Sequence, residues 1–600
     1  MFERKVAGDM PEGVSALQRQ HRRPVAQLGE WVDKQVGSDL ISERNLRLAY
    51  PKRSFIAGWR LSTDLSDIVL DLLLDKESPF SQPRIGLGSS SKSLVWPHVE
   101  EDGILCLSRA DAVHNVIEDA KTALSSAYEL VSLNLVEPPR HDFQNEFLSY
   151  WERQTTKKGR PFTSILRATG PSRRIVAWRG AHWILVAEDE RSLHDWYGNR
   201  FGKQERSLTI EPAALIWLPE PLCPDEYPRT ASGLWQLASK HEDAKSLLES
   251  LAAGSPSRIE SVIGSDSANG PCLAAVTVSS PKSGIPGKRR DVLQNGFRRD
   301  HVPREVASRR FWNVGSPVEP SKVSRADAAW VHDRGHDTNH HTLTNAKVVV
   351  IGAGSIGAPV VSQLAMAGVG RLVVVDPDRL TAANTGRHPL GSRFIGQHKA
   401  HALVGELRQS YPHHSFESRC ARWQDVNDDE PQLFSDALLI ISLTGDWDTE
   451  DALNTWHVDR AKSPPIVYGW TEEHACAGHG VLIDVRTDAC FACGIEPHGK
   501  PRLRVTDWGG SELQREPGCG SLYQPYGPVE VAHTASLITE LALDVLVGEK
   551  IRLFRRVWAC TSRFLESCGG RWNPEWLTLS NGRAEGGFQT SCEWPSDPQC

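Results

Sequence analysis

The sequence predicts an α/β protein with three parts: an N-terminal α+β domain (residues 1–140), a mixed linker or recognition domain (141–325) and a C-terminal domain on a mostly parallel sheet (326–600). Three observations predict this arrangement. Near the N-terminus, helical patterns flank several short apolar runs. The middle of the chain contains stretches rich in Gly, Ser and Pro, which indicate loops. From residue 345 onward, buried strands alternate with helical stretches.

The first domain is predicted from its hydrophobic periodicity. Residues 18–42 alternate polar and apolar positions in a helical manner, and residues 110–135 form a longer amphipathic helix. The apolar runs between them predict four strands, at 45–48, 54–61, 67–73 and 84–87. An irregular loop that carries Cys106 precedes the second helix.

The middle region offers weaker signals. Residues 175–186 and 207–218 are typical of strands, and residues 235–251 of a helix. Segments 254–270 and 279–290 have the composition of loops or linkers. No catalytic constellation is visible here, so we interpret the region as a connecting or recognition domain.

The composition excludes several classes of protein. A net charge of −7 gives no indication of nucleic-acid binding, and no run of 18 apolar residues predicts a transmembrane helix. The first residues, MFERKVAGDMPEG, lack an apolar signal core, which favours a cytoplasmic protein. The 12 cysteines are scattered and do not resemble a disulfide framework. Some are therefore expected to be nucleophiles or metal ligands, and the rest small buried residues.

The C-terminal domain begins with a strand, a glycine turn, a helix and a second strand. The strand covers 348–351, the turn contains Gly352, Gly354 and Gly357, and the second strand ends at Asp376. Glycines in this context let backbone amides and a helix N-terminus approach a phosphate. Asp376 is placed to accept hydrogen bonds from a ribose. Further strands are predicted at 437–443, 466–470 and 475–485, and a helix at 534–547.

A cationic cluster follows the second strand. Asn384, Arg387, His388 and Lys399 fall within one short segment. The single pyrophosphate of a nicotinamide dinucleotide does not require such a cluster, whereas a triphosphate whose pyrophosphate leaves does. The ordered set GAGSIG, VDPD, NTGRH and a following lysine resembles the ThiF/MoeB-like adenylation domain of ubiquitin-activating enzymes, which has a Rossmann-like fold.

This resemblance implies ATP as the nucleotide and Mg²⁺ as its companion ion. It assigns Arg387 and Lys399 to the phosphates, Asn384 to the same loop and Asp376 to the ribose. An acidic residue after the next strand handles Mg²⁺ in the family, and here Asp446 is preferred over Asp448. Arg334, just upstream, resembles an arginine that family members bring to the phosphates, although a salt bridge on a helix surface is an alternative.

A second resemblance lies in the N-terminal domain. The turn Pro79-Phe80-x-x-Pro83 and the segment WPHVEEDGILCL, which ends just past Cys106, resemble the catalytic region of ubiquitin-conjugating domains. This implies that Cys106 carries a thioester. The usual His and Asn of the segment are Trp96 and His98 here. His98 either stabilises an oxyanion in place of the Asn or is an ordinary loop residue.

Two further cysteine segments carry predictions. In EPGCGSLYQPYGPVE, Cys519 stands between glycines where the activating family carries its active cysteine, so we interpret it as the second nucleophile. Cys490 and Cys493 form CFAC, where many relatives place half of a structural zinc site. Cys592 and Cys600 are available, but the second CxxC is missing. A redox pair or a catalytic role for the CFAC thiols is the alternative.

Together, the two ends resemble a bacterial fusion of conjugating and activating domains, as found in antiphage operons of the CBASS type. The resemblance implies that a partner protein with a reactive C-terminus, such as a cGAS-like nucleotidyltransferase, is adenylated, passed to Cys519 and Cys106, and ligated to a lysine. It also implies a homodimer. A ubiquitin-like modifier as substrate, a ThiF-type sulfur transfer and a catalytically inactive nucleotide-sensing scaffold are the alternatives.

Overall fold

The structure is a computed structural model of the 600-residue chain. It describes residues 16–597, apart from 36–37, 89–91, 108–114, 156–158, 203–207, 255, 281–307, 310, 313–314, 334–338, 461, 485, 487–488, 498, 511, 516–521 and 549–553. The chain divides into two compact units: unit one comprises residues 1–162, 168–184 and 211–324, and unit two comprises 163–167, 185–210 and 325–600. The predicted boundaries of the three domains stay a prediction.

Unit one begins with the predicted α+β arrangement. Its four-stranded antiparallel sheet consists, in order, of Ser38–Leu40, Phe55–Ser62, Val69–Asp75 and Arg84–Gly86. Helices Ala16–Gln35 and Val116–Val136 pack together and close a core of buried Leu, Val and Ala side chains against the sheet. Asn115 caps the second helix by accepting hydrogen bonds from the N–H groups of Ile117 and Glu118.

One predicted strand is wrong. Residues 45–48 belong to the helix Glu43–Ala49. The local reason is the cap: the Ser42 side chain accepts a hydrogen bond from the Asn45 N–H, and Glu43 lies in the first turn, where the helix dipole favours a negative charge. Leu46 is then the buried residue of a short amphipathic helix.

The middle region of the chain, most of which belongs to unit one, carries short helices and longer strands. Strand Arg258–Ser267 pairs antiparallel with Gly270–Ser279, which in turn pairs antiparallel with Val318–Arg325. On its other side, Arg258–Ser267 pairs parallel with Ile210–Leu218. The other elements of the middle region are the helices Arg140–Asn145, Phe147–Gln154, Glu190–Phe201, Ala231–Ala238 and Glu242–Ala253 and the strands Phe162–Ser164, Arg173–Arg179 and Ile184–Ala187.

Two predicted elements of this region are each divided. The predicted strand 175–186 is interrupted by a turn in which the Gly180 N–H donates to the Trp183 carbonyl at 2.9 Å. The predicted helix 235–251 is two helices, because the backbone at His241 is extended and begins a new helix. Both breaks fall at short polar or glycine-containing segments that an averaged hydrophobic pattern conceals.

Unit two is built on an eight-stranded sheet whose first five strands are parallel and whose last three are antiparallel. In spatial order the strands are Ser415–Arg419, Arg371–Val375, Lys347–Ile351, Leu439–Ser442, Ile466–Thr471, Ala477–Ile483, Phe554–Thr561 and Gly586–Glu593. This is the predicted Rossmann-like α/β sheet, and the strands predicted at 348–351, 437–443, 466–470 and 475–485 all belong to it.

Both faces of this sheet are covered, which explains why its strands are apolar throughout. Val348 and Val350 belong to the core formed with helices Gly357–Met366, Lys399–Ser410 and Pro528–Leu546. Val349 and Ile351, which point to the opposite face, belong to a second core with the tryptophans of helices Trp423–Asp429 and Trp447–Val458. The predicted helix 534–547 starts earlier, with Pro528 in its first turn.

Smaller elements complete unit two. They are the helices Ala328–Asp333, His340–Asn345, Pro431–Ser435, Ser562–Ser567 and Pro574–Leu579, and the strands Thr506–Asp507, Gln514–Arg515, Leu522–Tyr523 and Arg571–Trp572. Among the helices in the described part of the chain, none combines the length and the apolar character that a bilayer crossing requires.

Candidate active sites

The glycine turn follows the central strand of unit two. Gly352 has φ of 96°, and a Cβ there would lie 2.6 Å from the Leu443 carbonyl oxygen, so the position requires glycine. A Cβ on Gly357 would lie 1.9 Å from the Gly352 carbonyl oxygen, so only glycine lets the start of the helix pack this closely against the turn. Around Gly354, by contrast, a Cβ would meet nothing within 4 Å. Gly354 therefore presents open backbone to a ligand.

A cavity of about 990 Å³ opens beside this turn. It lies at the carboxyl ends of the parallel strands, where open α/β sheets bind their ligands. Four residues predicted from the sequence line it together: Gly354, Asn384, Arg387 and Lys399. The lining also includes Ser355, His388, Thr444, Glu450, Glu472, Arg504 and Tyr526. The volume falls within the range of sites that bind nucleotide-sized ligands.

The two predicted cations are held in different ways. The Lys399 side chain is only 12% exposed, and its Nζ lies 2.9 Å from the Asp378 carboxylate. The Arg387 guanidinium lies over the ring of Tyr526, at 4.8 Å from its centroid, and no carboxylate in the described part of the chain pairs with it. An anionic ligand in the cavity therefore meets a guanidinium that has no ion-pair partner among the described carboxylates.

His388, a member of the same cluster, is buried and neutral. Its Nδ1 accepts from the Leu390 N–H, so Nε2 carries the proton that is donated to the Ala353 carbonyl at 2.8 Å. Burial lowers the pKa of His388, with a smaller contribution from the positive charge of Lys399. This histidine ties the cationic loop to the glycine turn rather than supplying charge.

In unit one, Cys106 is exposed at the end of a tightly bonded loop. Its N–H donates to the His98 carbonyl at 2.8 Å, and the neighbouring Leu105 is buried. The pKa of the Cys106 thiol is raised, first by partial burial and then by the negative charges of Glu146 and Glu100. A reaction at this sulfur therefore needs either a higher pH or a neighbouring positive charge.

The His98 side chain lies between two carboxylates. Its Nε2 is 3.3 Å from Asp142 and its Nδ1 is 3.5 Å from Glu146, while its backbone, at φ of 59°, donates its N–H to the Tyr150 hydroxyl at 2.7 Å. These contacts hold the His98 ring against the helix Arg140–Asn145 and the residue Glu146 that follows it. A role of His98 in stabilising an oxyanion stays a prediction.

Comparison with known proteins bears on both sites. Residues 329–560 match the ThiF family, and residues 42–159 match prokaryotic E2 family B. The chain joins a ThiF-family domain to a domain of prokaryotic E2 family B. The fusion of activating and conjugating domains predicted from the sequence is thereby confirmed, and the protein is an enzyme of the ubiquitin-like activating and conjugating type.

Several relatives share parts of the chain. An ATP-dependent ubiquitin transferase-like protein Cap2 of Pseudomonas aeruginosa is 24% identical over 500 residues, which are 78% of this chain and 83% of that protein. The SAMP-activating enzyme E1 of Haloferax volcanii is 34% identical over 128 residues, or 21% of this chain and 46% of that protein. The adenylyltransferase and sulfurtransferase uba4 of Emericella nidulans is 36% identical over 103 residues, or 17% of this chain and 21% of that protein.

Among solved structures, the chain is similar to Escherichia coli MccB with AMPCPP and MccA. The similarity covers 44% of this chain and 67% of MccB, at 16% identity and a TM-score of 0.30.

The acidic residues of the ThiF domain are distributed differently from the prediction. Asp446 is exposed and caps the helix Trp447–Val458 by accepting from the Thr449 N–H at 3.3 Å, and it is not among the residues that line the cavity. Glu450, which sequence reasoning missed, does line it. Glu450 is buried and accepts from the Thr444 hydroxyl at 3.1 Å. Burial raises its pKa to about 8.

The position of Glu450 follows from helix geometry. Side chains in a first helical turn point back towards the helix N-terminus, and this helix begins just after the strand Leu439–Ser442. The run DWDTE after a buried strand therefore contains the signal: its last acidic residue, one turn inside the helix, faces the sheet edge, whereas Asp446 and Asp448 remain exposed.

Asp376 lies beside the cavity wall rather than in it. It is 6% exposed, and its carboxylate accepts from the N–H groups of Ala353 at 2.6 Å and Asp378 at 2.7 Å. Burial raises its pKa, and these two hydrogen bonds oppose the rise. Asn384 accepts from the Thr381 N–H at 3.0 Å. The ribose role of Asp376 stays a prediction, while its bonds visibly hold the glycine turn in place.

The CFAC thiols lie together, as predicted from their spacing. The sulfurs of Cys490 and Cys493 are 3.7 Å apart, and the Cys490 sulfur accepts from the Asn454 amide. Within the described ranges, no third His, Cys, Asp or Glu joins them in a metal-ligating group. Cys592 packs in a different apolar cluster. The predicted residues Cys519, Cys600 and Arg334 lie outside the described residues.

Proposed function

We propose that this enzyme activates the C-terminal carboxylate of a partner protein with ATP and ligates it to a target amine. The observation that carries the proposal is the shared cavity in which the open backbone of Gly354, the Arg387 guanidinium and the Lys399 ammonium converge. Adenylation brings together two anions, a carboxylate and a triphosphate. The converging cations reduce the electrostatic repulsion between them.

In the first step, a carboxylate oxygen of the partner attacks the α-phosphorus of ATP. The bond from that phosphorus to the bridging oxygen breaks, and pyrophosphate leaves with the bonding electrons. Arg387 and Lys399 stabilise the charge that develops on the phosphates. The Glu450 carboxyl lines the cavity and would hold Mg²⁺ in its ionised form, whereas the predicted ligand Asp446 caps the same helix outside the cavity lining. Bound there, Mg²⁺ would neutralise phosphate charge.

In the following steps, the acyl group moves between sulfurs. The Cys519 thiolate attacks the acyl-adenylate and AMP leaves. The Cys106 thiolate then attacks that thioester and releases Cys519. Finally a lysine amine attacks the acyl carbon of the Cys106 thioester, the carbon–sulfur bond breaks, Cys106 leaves as the thiolate, and the nitrogen loses a proton to give the amide. The exposure of Cys106 supports its place at the end of this relay.

We infer that the partner is a cGAS-like nucleotidyltransferase of a CBASS operon and that the enzyme acts as a homodimer in the cytoplasm. The resemblance of the whole fusion to such systems supports the partner, and the described cysteines, all free thiols, suit a reducing compartment. A ubiquitin-like modifier is the second candidate substrate, since one relative is named a SAMP-activating enzyme. Light scattering on the purified chain measures the oligomeric state.

Sulfur transfer is a further candidate, because one relative is named an adenylyltransferase and sulfurtransferase. It would leave the exposed Cys106 and its whole domain without a role. We therefore rank ligation above it. The two reactions differ in product, since ligation yields an amide-linked conjugate and sulfur transfer a thiocarboxylate, and intact-mass spectrometry separates them.

The deciding experiment combines pyrophosphate exchange with thioester trapping on non-reducing gels. The full chain is incubated with ATP, Mg²⁺ and each candidate partner or its C-terminal peptide. Cys519→Ala should retain exchange and lose every thioester, whereas Cys106→Ala should retain the Cys519 thioester and lose the second. Cys420→Ala, which removes another exposed thiol, is the matched control and should behave as the wild type.

Two results would overturn the proposal. If no candidate carboxylate stimulates pyrophosphate exchange, the chain does not adenylate a C-terminus of this kind. If Cys519→Ala still charges Cys106, then another thiol, or none, stands between the adenylate and the conjugating domain.

A further inference from the structure

Three imidazole side chains converge in unit two, away from the nucleotide cavity. His332 lies on the helix Ala328–Asp333, and His413 and His414 lie just before the strand Ser415–Arg419. The Nε2 of His332 is 2.8 Å from the Nε2 of His413 and 2.7 Å from the Nε2 of His414. These histidines stand at the amino end of a parallel strand, whereas the glycine turn and its cavity are at the carboxyl ends.

The protonation of His332 is fixed by a backbone carbonyl. Its Nδ1 lies 2.9 Å from the carbonyl oxygen of Met366, the last residue of the helix Gly357–Met366. A carbonyl can only accept, so Nδ1 carries the hydrogen and the Nε2 of the neutral ring has a lone pair. Metal-bound histidines are held in the same manner, with the second ring nitrogen donating to a backbone carbonyl.

For neutral rings, hydrogen bonding alone does not satisfy this arrangement. An imidazole nitrogen has one lone pair in the ring plane, so the Nε2 of His332 can accept one hydrogen bond, not one from each of two neighbours. All three ligand atoms lie within 4.8 Å of one another. A single cation among them would receive a lone pair from each ring.

The surroundings favour uncharged rings. His414 is buried, and the ring of His332 stacks on it with centroids 4.7 Å apart. Burial, followed by the neighbouring histidines, lowers the pKa of His413 to about 3 and that of His414 to about 2. Neutral imidazole is the form that coordinates metal ions.

We propose that His332, His413 and His414 form a site for a divalent transition-metal ion of the zinc class, bound through three Nε2 atoms. Zinc–nitrogen bonds of about 2.0–2.1 Å in tetrahedral geometry place the nitrogens about 3.3 Å apart, so the rings separate by roughly half an ångström when the ion binds. Three imidazoles leave a fourth position for water or another ligand. Affinity should follow the usual order, with Cu²⁺ above Ni²⁺ and Co²⁺.

The role that this position supports is structural. The ion would join three parts of unit two. His332 belongs to the helix Ala328–Asp333 and is bonded to the Met366 carbonyl at the end of the helix Gly357–Met366. His413 and His414 belong to the turn before the strand Ser415–Arg419. None of the three histidines lines the nucleotide cavity. Metal loading should therefore raise the unfolding temperature more than it changes the binding of ATP.

The test uses the full chain, stripped with a chelator and dialysed, then titrated with Co²⁺. The wild type should bind about one equivalent with visible d–d absorption and without the near-ultraviolet thiolate band that cysteine ligands give. The pair His413→Gln and His414→Gln, made together, should lose this absorption. His401→Gln is the matched exposed control, and a Cys490→Ser, Cys493→Ser variant should retain the imidazole-type spectrum.

Elemental analysis measures how much metal the protein takes up, and thermal melting measures the effect of the metal on stability. Added Zn²⁺ should raise the melting temperature of the wild type and of His401→Gln but not that of His332→Gln, whose circular dichroism before metal addition reports whether it folds. The proposal is overturned if wild-type protein takes up no Co²⁺ or Zn²⁺. It is also overturned if the histidine variants bind as the wild type does, or if the bound Co²⁺ shows only thiolate character.

Discussion

The Arg387 guanidinium lies over the ring of Tyr526, 4.8 Å from the ring centroid, and the Tyr526 hydroxyl lies 2.7 Å from the Ser355 hydroxyl. One aromatic side chain thus joins the cationic loop to the glycine turn. Tyr526 belongs to the segment that follows Cys519 and precedes the helix Pro528–Leu546. The segment that follows the predicted nucleophile is therefore tied, through Tyr526, to the residues predicted to bind phosphate.

Tyr526→Phe and Tyr526→Leu should separate the two contacts. Phe keeps the ring under Arg387 and loses the hydrogen bond to Ser355, whereas Leu loses both. Because a cation–π contact contributes about 0.5–2 kcal/mol, we expect the KM for ATP in pyrophosphate exchange to rise by roughly 2- to 30-fold in Leu and less in Phe. Tyr128→Leu, on an exposed tyrosine of unit one, is the control. Equal effects of Phe and Leu would assign the whole role to the hydroxyl.

Arg387→Ala should reduce the rate of pyrophosphate exchange by about 100-fold or more, since loss of one preorganised donor to developing charge has an effect of this size. Arg393→Ala removes another arginine of the same loop that pairs with Glu406, outside the cavity lining, and should leave the rate within about 3-fold of the wild type. Quenched exchange with labelled pyrophosphate measures both. A similar loss in both variants would indicate a general effect of loop charge.

Reaction at Cys106 should accelerate as pH rises above neutrality. Partial burial and the charges of Glu146 and Glu100 raise the thiol pKa, so the thiolate fraction is low at pH 7 and grows with pH. Glu146→Gln removes one of these charges and should shift the pH profile of Cys106 alkylation to lower pH. The rate is measured by peptide mass spectrometry after brief treatment with iodoacetamide.

Glu152→Gln, in the helix Phe147–Gln154 that Glu146 precedes, is the control for that shift, because Glu152 is not among the charges with the largest effect on the Cys106 pKa. A profile that stays in place, or moves to higher pH, in Glu146→Gln would mean that the Glu146 charge does not act on the sulfur. Glu146→Gln also removes the contact between the Glu146 carboxylate and His98. That loss would then change the rate of acyl transfer without changing the pH profile of alkylation.

The sequence was most informative where one physical constraint dominated. Strands such as Lys347–Ile351 are buried on both faces and are therefore uniformly apolar, and Gly352 and Gly357 stand where any side chain would clash. These features predicted the sheet and the turn correctly. Asn384, Arg387 and Lys399 line one cavity, and their role at the phosphates stays a prediction. The helix Glu43–Ala49 was mistaken for a strand because its seven residues are too few to display a helical period, and only the Ser42 cap distinguishes it.

The positions of other residues depend on tertiary structure, so the sequence pattern alone did not single them out. Glu450 reaches the cavity only because its helix begins where it does, and the more conspicuous Asp446 serves as that helix's cap. His332 and the pair His413 and His414 are about 80 residues apart and follow no metal-binding spacing. Their convergence arises from the packing of a helix against the end of a sheet, which periodicity does not encode.

Glu450→Gln should make the ThiF domain less sensitive to pH between about 5 and 8. The carboxyl has an ordinary pKa near 4.5 and a raised pKa of about 8 in the folded protein, because it is buried. In this window the folded state holds a proton that the unfolded state has released, so wild-type stability falls as pH rises, by roughly 1.4 kcal/mol per pH unit. Glutamine has no proton to lose, and its slope is expected to be smaller.

Urea unfolding midpoints at pH 5, 6.5 and 8, followed by tryptophan fluorescence, measure this difference, and Asp448→Asn, an exposed substitution in the same helix, is the control. The stability advantage of Glu450→Gln over the wild type should be greatest at pH 8 and smallest at pH 5, which is nearest the ordinary pKa of 4.5 at which the unfolded chain takes up the same proton. An advantage that instead grows towards acid would mean that Glu450 is ionised in the folded state. Its charge would then be available in the cavity without a bound cation.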